Sequence, residues 1–158
     1  MAPQFRRKRN RLPLDSYSER AYFLTIASAQ RRPVFRDQVM VAACLRELKF
    51  SSERCGFTVL VYCFMPDHLH LLVQGDDEAD LPRFLKDFKQ RTGYAYRRAS
   101  AKALWQKSYY DRVVRAEEHL RGVARYIVGN PVRAALAASP ADYPYSGSFV
   151  WGRAIVEA

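Results

Sequence analysis

The sequence has only 3 cysteines and 3 histidines in 158 residues, and its 16 acidic residues are outnumbered by 26 lysines and arginines. Each shortage excludes something. Cys44, Cys55 and Cys63 are odd in number and far apart, with no CxxC pair, so they offer neither a disulfide framework nor a zinc knuckle. Cys44 and Cys63 sit in apolar runs, where a free thiol behaves as a small hydrophobe. The compartment expected from this usage is reducing and cytoplasmic. No apolar stretch is long enough to cross a bilayer, and the basic residues 1–11 are followed by no apolar segment, so neither a membrane span nor a signal peptide is expected. With no internal repeat and no dividing linker, one domain over residues 1–158 is expected, residues 1–16 forming a flexible basic arm.

What remains is an apolar share of 49% with 27% charged residues, ordinary for a folded chain, and a net charge of +10, which is not ordinary. Such a field attracts polyanions, nucleic acid first among them. The opening run with Arg6, Arg7, Lys8 and Arg9 reads equally as a solubilising tail or as a grip on a phosphate backbone.

Two of the histidines fall in Phe64-Met65-Pro66-Asp67-His68-Leu69-His70-Leu71-Leu72-Val73. In a strand, residues two apart share a face, so His68 and His70 present two imidazoles side by side while Leu69 and Leu71 face a core. Pro66-Asp67 reads as the tight turn before that strand. On spacing alone the pair is either half of a divalent-metal site or one core histidine and one surface histidine. Strands are also expected at Tyr22-Phe23-Leu24-Thr25-Ile26-Ala27 and at residues 58–65, the latter forming a hairpin with the histidine strand. A further short strand is expected within residues 105–115. Helical spacing marks Val41, Cys44, Leu45 and Leu48, then Leu81, Phe84, Leu85 and Phe88, then Leu120, Val123 and Ile127, the last helix limited by Pro131. The order is βαββαβ: an α+β, ferredoxin-like sandwich, its antiparallel sheet covered by helices on one face, with a last helix, the one that carries Tyr126, towards the C-terminus.

Tyr126 and Asn130 are four apart on that last helix and share a face. A phenol can attack phosphorus once deprotonated, and a metal that draws charge from the phosphate assists it. Among 10 tyrosines, Tyr126 also reads as a plain core aromatic.

The histidine run resembles the His-hydrophobic-His signature of the single-tyrosine HUH transposases. The blocks Trp105-Gln106, Tyr109-Tyr110-Asp111-Arg112, Tyr126-Ile127 and Asn130-Pro131-Val132-Arg133-Ala134, with Tyr143-Pro144-Tyr145-Ser146-Gly147-Ser148, resemble the REP-associated, IS200-like branch, in order over nearly the whole chain. Two positions depart from it: Arg112, where that branch often has histidine, and Ala135 within Ala134-Ala135-Leu136, where it often has glycine. The resemblance implies a metal-dependent transposase, a strand transferase and nickase acting at single-stranded DNA hairpins of the REP palindrome type. It implies that His68, His70 and Asn130 bind Mg²⁺ or Mn²⁺, and that Tyr126 forms a 5′-phosphotyrosine. Lys86, Lys89 and Arg97, with the arm, are expected to hold phosphates, and Trp105 or Tyr110 to stack unpaired bases. The protein is expected to act as a monomer or homodimer. Two rivals stand beside this reading. A non-catalytic single-stranded nucleic-acid-binding module would leave both histidines and Tyr126 idle. A water-using metal phosphoesterase usually wants several carboxylates, and Asp67 is the only one beside the histidines.

Overall fold

The histidine strand is the middle of the sheet. In the computed structural model, which describes residues 21–115 and 117–157, five strands form one antiparallel sheet in the order β4-β1-β3-β2-β5. They are β1 (Ala21–Ala27), β2 (Phe57–Met65), β3 (His68–Gly75), β4 (Tyr110–Val114) and β5 (Ser146–Gly147). The basic arm with Arg6, Arg7, Lys8 and Arg9 lies outside the described residues. β1 and β3 are the expected central pair, in the register Thr25↔His70 and Ala27↔His68. β1 is buried on both faces, which is why it reads as an unbroken apolar run and not as an alternation.

Two helices cover one face: α1 (Gln38–Arg54) and α2 (Leu81–Ser100). Asp37 caps the first by accepting from the Val39 N–H, and Asp80 caps the second by accepting from the Arg83 N–H. Val41, Cys44, Leu48, Phe84, Leu85 and Phe88 pack there against Tyr22, Leu24, Ile26, Leu69, Leu71 and Val73 of the sheet. The opposite face carries α3 (Glu117–Arg133), whose Val123, Ile127 and Val128 pack on Phe23, Val61, Cys63 and Leu72. A register shift between Val59 and Val61 swaps the faces of β2. Phe57 and Val59 thus serve the first core, and Val61, Cys63 and Met65 the second. All three cysteines are free and buried, and burial pushes the Cys44 and Cys63 thiols up to about 12.

Three details differ from the sequence reading. Pro131 does not end α3; the helix runs through it to Arg133. The missing N–H costs one bond close to the helix end, and the last turn closes through Ala134 N–H to the Asn130 carbonyl (3.0 Å) and Leu136 N–H to the Pro131 carbonyl (2.8 Å). β4 starts at Tyr110, while Trp105 makes only a single bridge to Ser28. A fifth strand appears in the tail, where β5 pairs with β2, and the Tyr143 hydroxyl donates to the Phe64 carbonyl. The tail then ends in a short helix, α4 (Ala154–Glu157).

Candidate active site

Because β3 alternates, His68 and His70 stand on the face covered by α3, and Leu69 and Leu71 fill the other core. The two Nε2 atoms face one another at 3.1 Å. Each Nδ1 is held from behind. The Asp67 carboxylate, which can only accept, takes a hydrogen bond from His68 Nδ1–H at 2.7 Å and is itself paired with Arg31 Nε at 3.1 Å. His70 Nδ1 meets the Thr25 hydroxyl at 2.9 Å, across the β1–β3 pairing. His70 is 3% exposed and stacks on Phe23, ring centroids 5.5 Å apart.

Burial lowers the pKa of both imidazoles below the ordinary histidine range. For His70, burial and then the neighbouring His68, Arg133 and Arg31 carry it down to about 3. Both rings are therefore neutral near pH 7, the form in which imidazole is a ligand.

The donor set fits a divalent cation. Two nitrogens 3.1 Å apart have the separation of two adjacent ligands on one ion at about 2.1 Å. With its proton on Nδ1 towards Asp67, His68 presents an Nε2 lone pair, which faces His70 Nε2 and could instead ligate a cation. The Thr25 hydroxyl can donate or accept, so it tolerates either tautomer of His70 and accepts Nδ1–H when His70 Nε2 serves as a ligand. Among the described residues no third His, Cys, Asp or Glu joins the pair.

Tyr126 lies on α3 over this pair. Its ring is 6.4 Å from that of His70 and 6.0 Å, edge to face, from that of Phe23, while 45% of the residue stays open to solvent. Since the helix continues through Pro131, Asn130 keeps its place one turn beyond Tyr126 on the same side. The histidines and the tyrosine thus come together within one chain.

The residues expected to bind DNA are divided. Tyr110 is half-buried beside the site, edge-on to Phe23 at 6.4 Å. Lys86 and Arg97 are exposed on α2, in the layer on the far side of the sheet. Lys89 is turned inward, its Nζ donating to the Gln106 carbonyl at 2.6 Å. Trp105 is a correction. It is 8% exposed, lodged between Phe35 and Phe88, with its Nε1–H on the Thr92 hydroxyl at 2.8 Å, so its ring is committed to the core. Sequence reasoning missed Thr25, Phe23 and Arg31, which reach the histidines only through strand pairing and loop placement. It also missed Arg133, which lies over the Tyr126 ring at 4.2 Å.

Residues 16–130 match the family described as Transposase IS200 like. The chain belongs to the IS200-like transposase family. A curated relative from Haemophilus influenzae, named as a REP-associated tyrosine transposase, is 26% identical, with 62% of each chain covered. The IS200-like chain therefore spans about 62% of that relative's length. Its fold matches that of a REP-associated tyrosine transposase solved bound to a REP hairpin, with TM-score 0.70, 20% identity, and 82% of this chain and 76% of that one covered. A bacterial tRNA(His) guanylyltransferase-like protein in complex with GTP also shares the fold, with TM-score 0.52, 13% identity, and coverage of 86% and 74%. At such identities likeness speaks for the fold alone, and the chemistry of this IS200-like protein has to be argued from its site.

Proposed function

We propose that this protein cleaves and rejoins single-stranded DNA at hairpin-forming, REP-like palindromes, with Tyr126 as the nucleophile. The observation that carries the reading is the pair of facing Nε2 atoms 3.1 Å apart, with the Tyr126 ring 6.4 Å from that of His70. In the step proposed, the Tyr126 hydroxyl oxygen bonds to phosphorus and releases its proton, and the bond from phosphorus to the 3′ oxygen breaks. That oxygen takes up a proton as a free 3′-hydroxyl, and the 5′ side stays on the protein as a phosphotyrosine. A second 3′-hydroxyl reverses the step and joins strands without a nucleotide cofactor.

His68 and His70, with Asn130 as an oxygen donor, are the residues that would hold Mg²⁺ or Mn²⁺, and such an ion polarises the phosphoryl oxygen when bound. Imidazole ligands suit Mn²⁺ at least as well as Mg²⁺. Thr25 and Asp67 fix the ring orientations, and burial keeps both rings neutral. Tyr110 supplies a ring for a base near the cut, and Lys86, Arg97, Arg6, Arg7, Lys8 and Arg9 hold phosphates further along the strand. The nucleophile and the histidines act within one subunit, as a monomer or in each half of a homodimer.

The test is a trapping assay on labelled single-stranded hairpin DNA with Mn²⁺, resolved on a denaturing gel. A covalent band that disappears with chelator and in Tyr126→Phe is the expected result. Cleavage without a covalent band, surviving Tyr126→Phe, would replace this reading with a water-using nuclease. Binding with no cleavage across a panel of hairpins would favour a binding module.

A further inference from the structure

Arg133 sits seven residues beyond Tyr126, nearly two full turns along α3 and so on the same side of the helix. Helical side chains lean towards the N-terminus, so a long one there reaches back over the preceding turns. Arg133 does so. Its guanidinium carbon lies 4.2 Å from the centre of the Tyr126 ring, and Nη2 donates to the Tyr126 carbonyl. The path runs over Gly129. A Cβ on that glycine would stand 2.9 Å from Arg133 Nη1, too close for the guanidinium to stay where it is, so a side chain there would displace it. The Tyr126 ring also meets Phe23 edge to face, and Phe23 in turn stacks on His70. Tyr126, Phe23 and His70 thus form a compact group of three rings, 5.5, 6.0 and 6.4 Å apart, with the Arg133 guanidinium over the Tyr126 member.

Of the ring contacts among the described residues, that of Arg133 at 4.2 Å is shorter than those of Phe23 at 6.0 Å and His70 at 6.4 Å. With 45% of the residue exposed, Tyr126 depends on these contacts to keep its hydroxyl in one place. A cation over an aromatic face and a hydrogen bond to the same residue's carbonyl together restrain both the ring and the helix turn beneath it. We infer that Arg133 is the positioning residue for the Tyr126 ring, and that Gly129 is required as the gap through which it reaches. The inference rests on Tyr126 being the nucleophile, yet the stack itself is measurable without DNA.

Two measurements separate the possibilities. The first is the aromatic ¹³C–¹H spectrum of the protein alone, with the Tyr126 signals assigned by their loss in Tyr126→Phe. Arg133→Ala and Gly129→Ala should both move those signals in the same direction, and Arg125→Ala, a neighbouring exposed arginine, should not. Unmoved signals in Arg133→Ala would overturn the inference whatever the protein's activity. The second is single-turnover formation of the covalent adduct. Arg133→Ala should slow it by about tenfold to a hundredfold, the usual cost of a misplaced reacting group. Hairpin affinity should stay within about twofold, and Arg133→Lys, which keeps the charge, should recover part of the rate. The double variant Arg133→Ala/Gly129→Ala should be no slower than Arg133→Ala, since both changes break one stack. A wild-type rate in Arg133→Ala, or a fall in affinity matching the fall in rate, would overturn the positioning role. If the wild type formed no adduct, the reading of Tyr126 as nucleophile would fail, while the spectra would still decide the stack.

Discussion

His70 owes its behaviour to a neighbour that is far away in sequence. Thr25 is 45 residues earlier, yet its hydroxyl is the group that holds the ring's Nδ1. Outer hydrogen bonds of this kind set the tautomer and aim of a ligating histidine. Thr25→Val keeps the shape and removes the hydroxyl. We expect Mn²⁺ affinity, measured by titration calorimetry, to fall about 10- to 100-fold. Stability to denaturant should fall by only about 1 kcal/mol, and Thr25→Ser should retain most of both. Equal affinities in the two variants would remove Thr25 from the site. At the same scale, Asp67 works twice: its carboxylate orients His68 and holds Arg31, joining the β1–α1 connection to the turn before the histidines.

At the scale of elements, β2 and β3 form a hairpin whose two ends have different tasks. The Pro66-Asp67 end presents the histidines, whereas the other end meets the C-terminus of α1 at Gly56. Gly56 has φ +78°, and a Cβ there would lie 2.5 Å from Asp76 Oδ1 and 3.2 Å from the Ala79 backbone. Gly56→Ala should therefore cost at least about 1–2 kcal/mol, the left-handed penalty alone, read from denaturant unfolding. Adduct formation by the folded fraction should be unchanged, because the site is at the opposite end of the hairpin. A stable variant would mean that the turn relaxes freely. α3 shows the limits of reading breakers from sequence. Pro131 is a poor helix residue, but at the last turn it forfeits only one hydrogen bond, and the helix runs on to Arg133.

At the scale of the whole molecule, the two faces of the sheet are unlike. One is closed by α1 and α2; the other holds the histidines, Phe23 and Tyr110 beneath α3, which brings Tyr126 over them. No described helix is long and apolar enough to cross a membrane. The +10 charge belongs to the molecule and not to any single residue, so its contribution is best measured as a salt slope. For a single-stranded hairpin flank, the log–log slope of affinity against salt should approach about −0.7 per phosphate held. Replacing Arg6, Arg7, Lys8 and Arg9 together with alanine should reduce the slope in proportion to the phosphates they hold. An unchanged slope would reduce the arm to a solubilising tail.

The sequence by itself determined the local features: the order of the first four strands and three main helices, the face shared by His68 and His70, the Pro66-Asp67 turn, the buried Cys44 and Cys63 and the excess of positive charge. Those depend on periodicity and turn chemistry, which act over a few residues. Only the tertiary structure decided which residues meet across strands and layers. Thr25 reaches His70 through the β1–β3 register, and Phe23 joins His70 to Tyr126 because α3 lies on the histidine face. Trp105, a fair choice for base stacking by its chemistry, is taken by the core because the segment before β4 folds back between Phe35 and Phe88. Arg133 and Gly129 lay between these extremes. Their spacing from Tyr126 was legible on a helix, but whether the arginine would turn to solvent or back onto the ring depended on the helix persisting through Pro131.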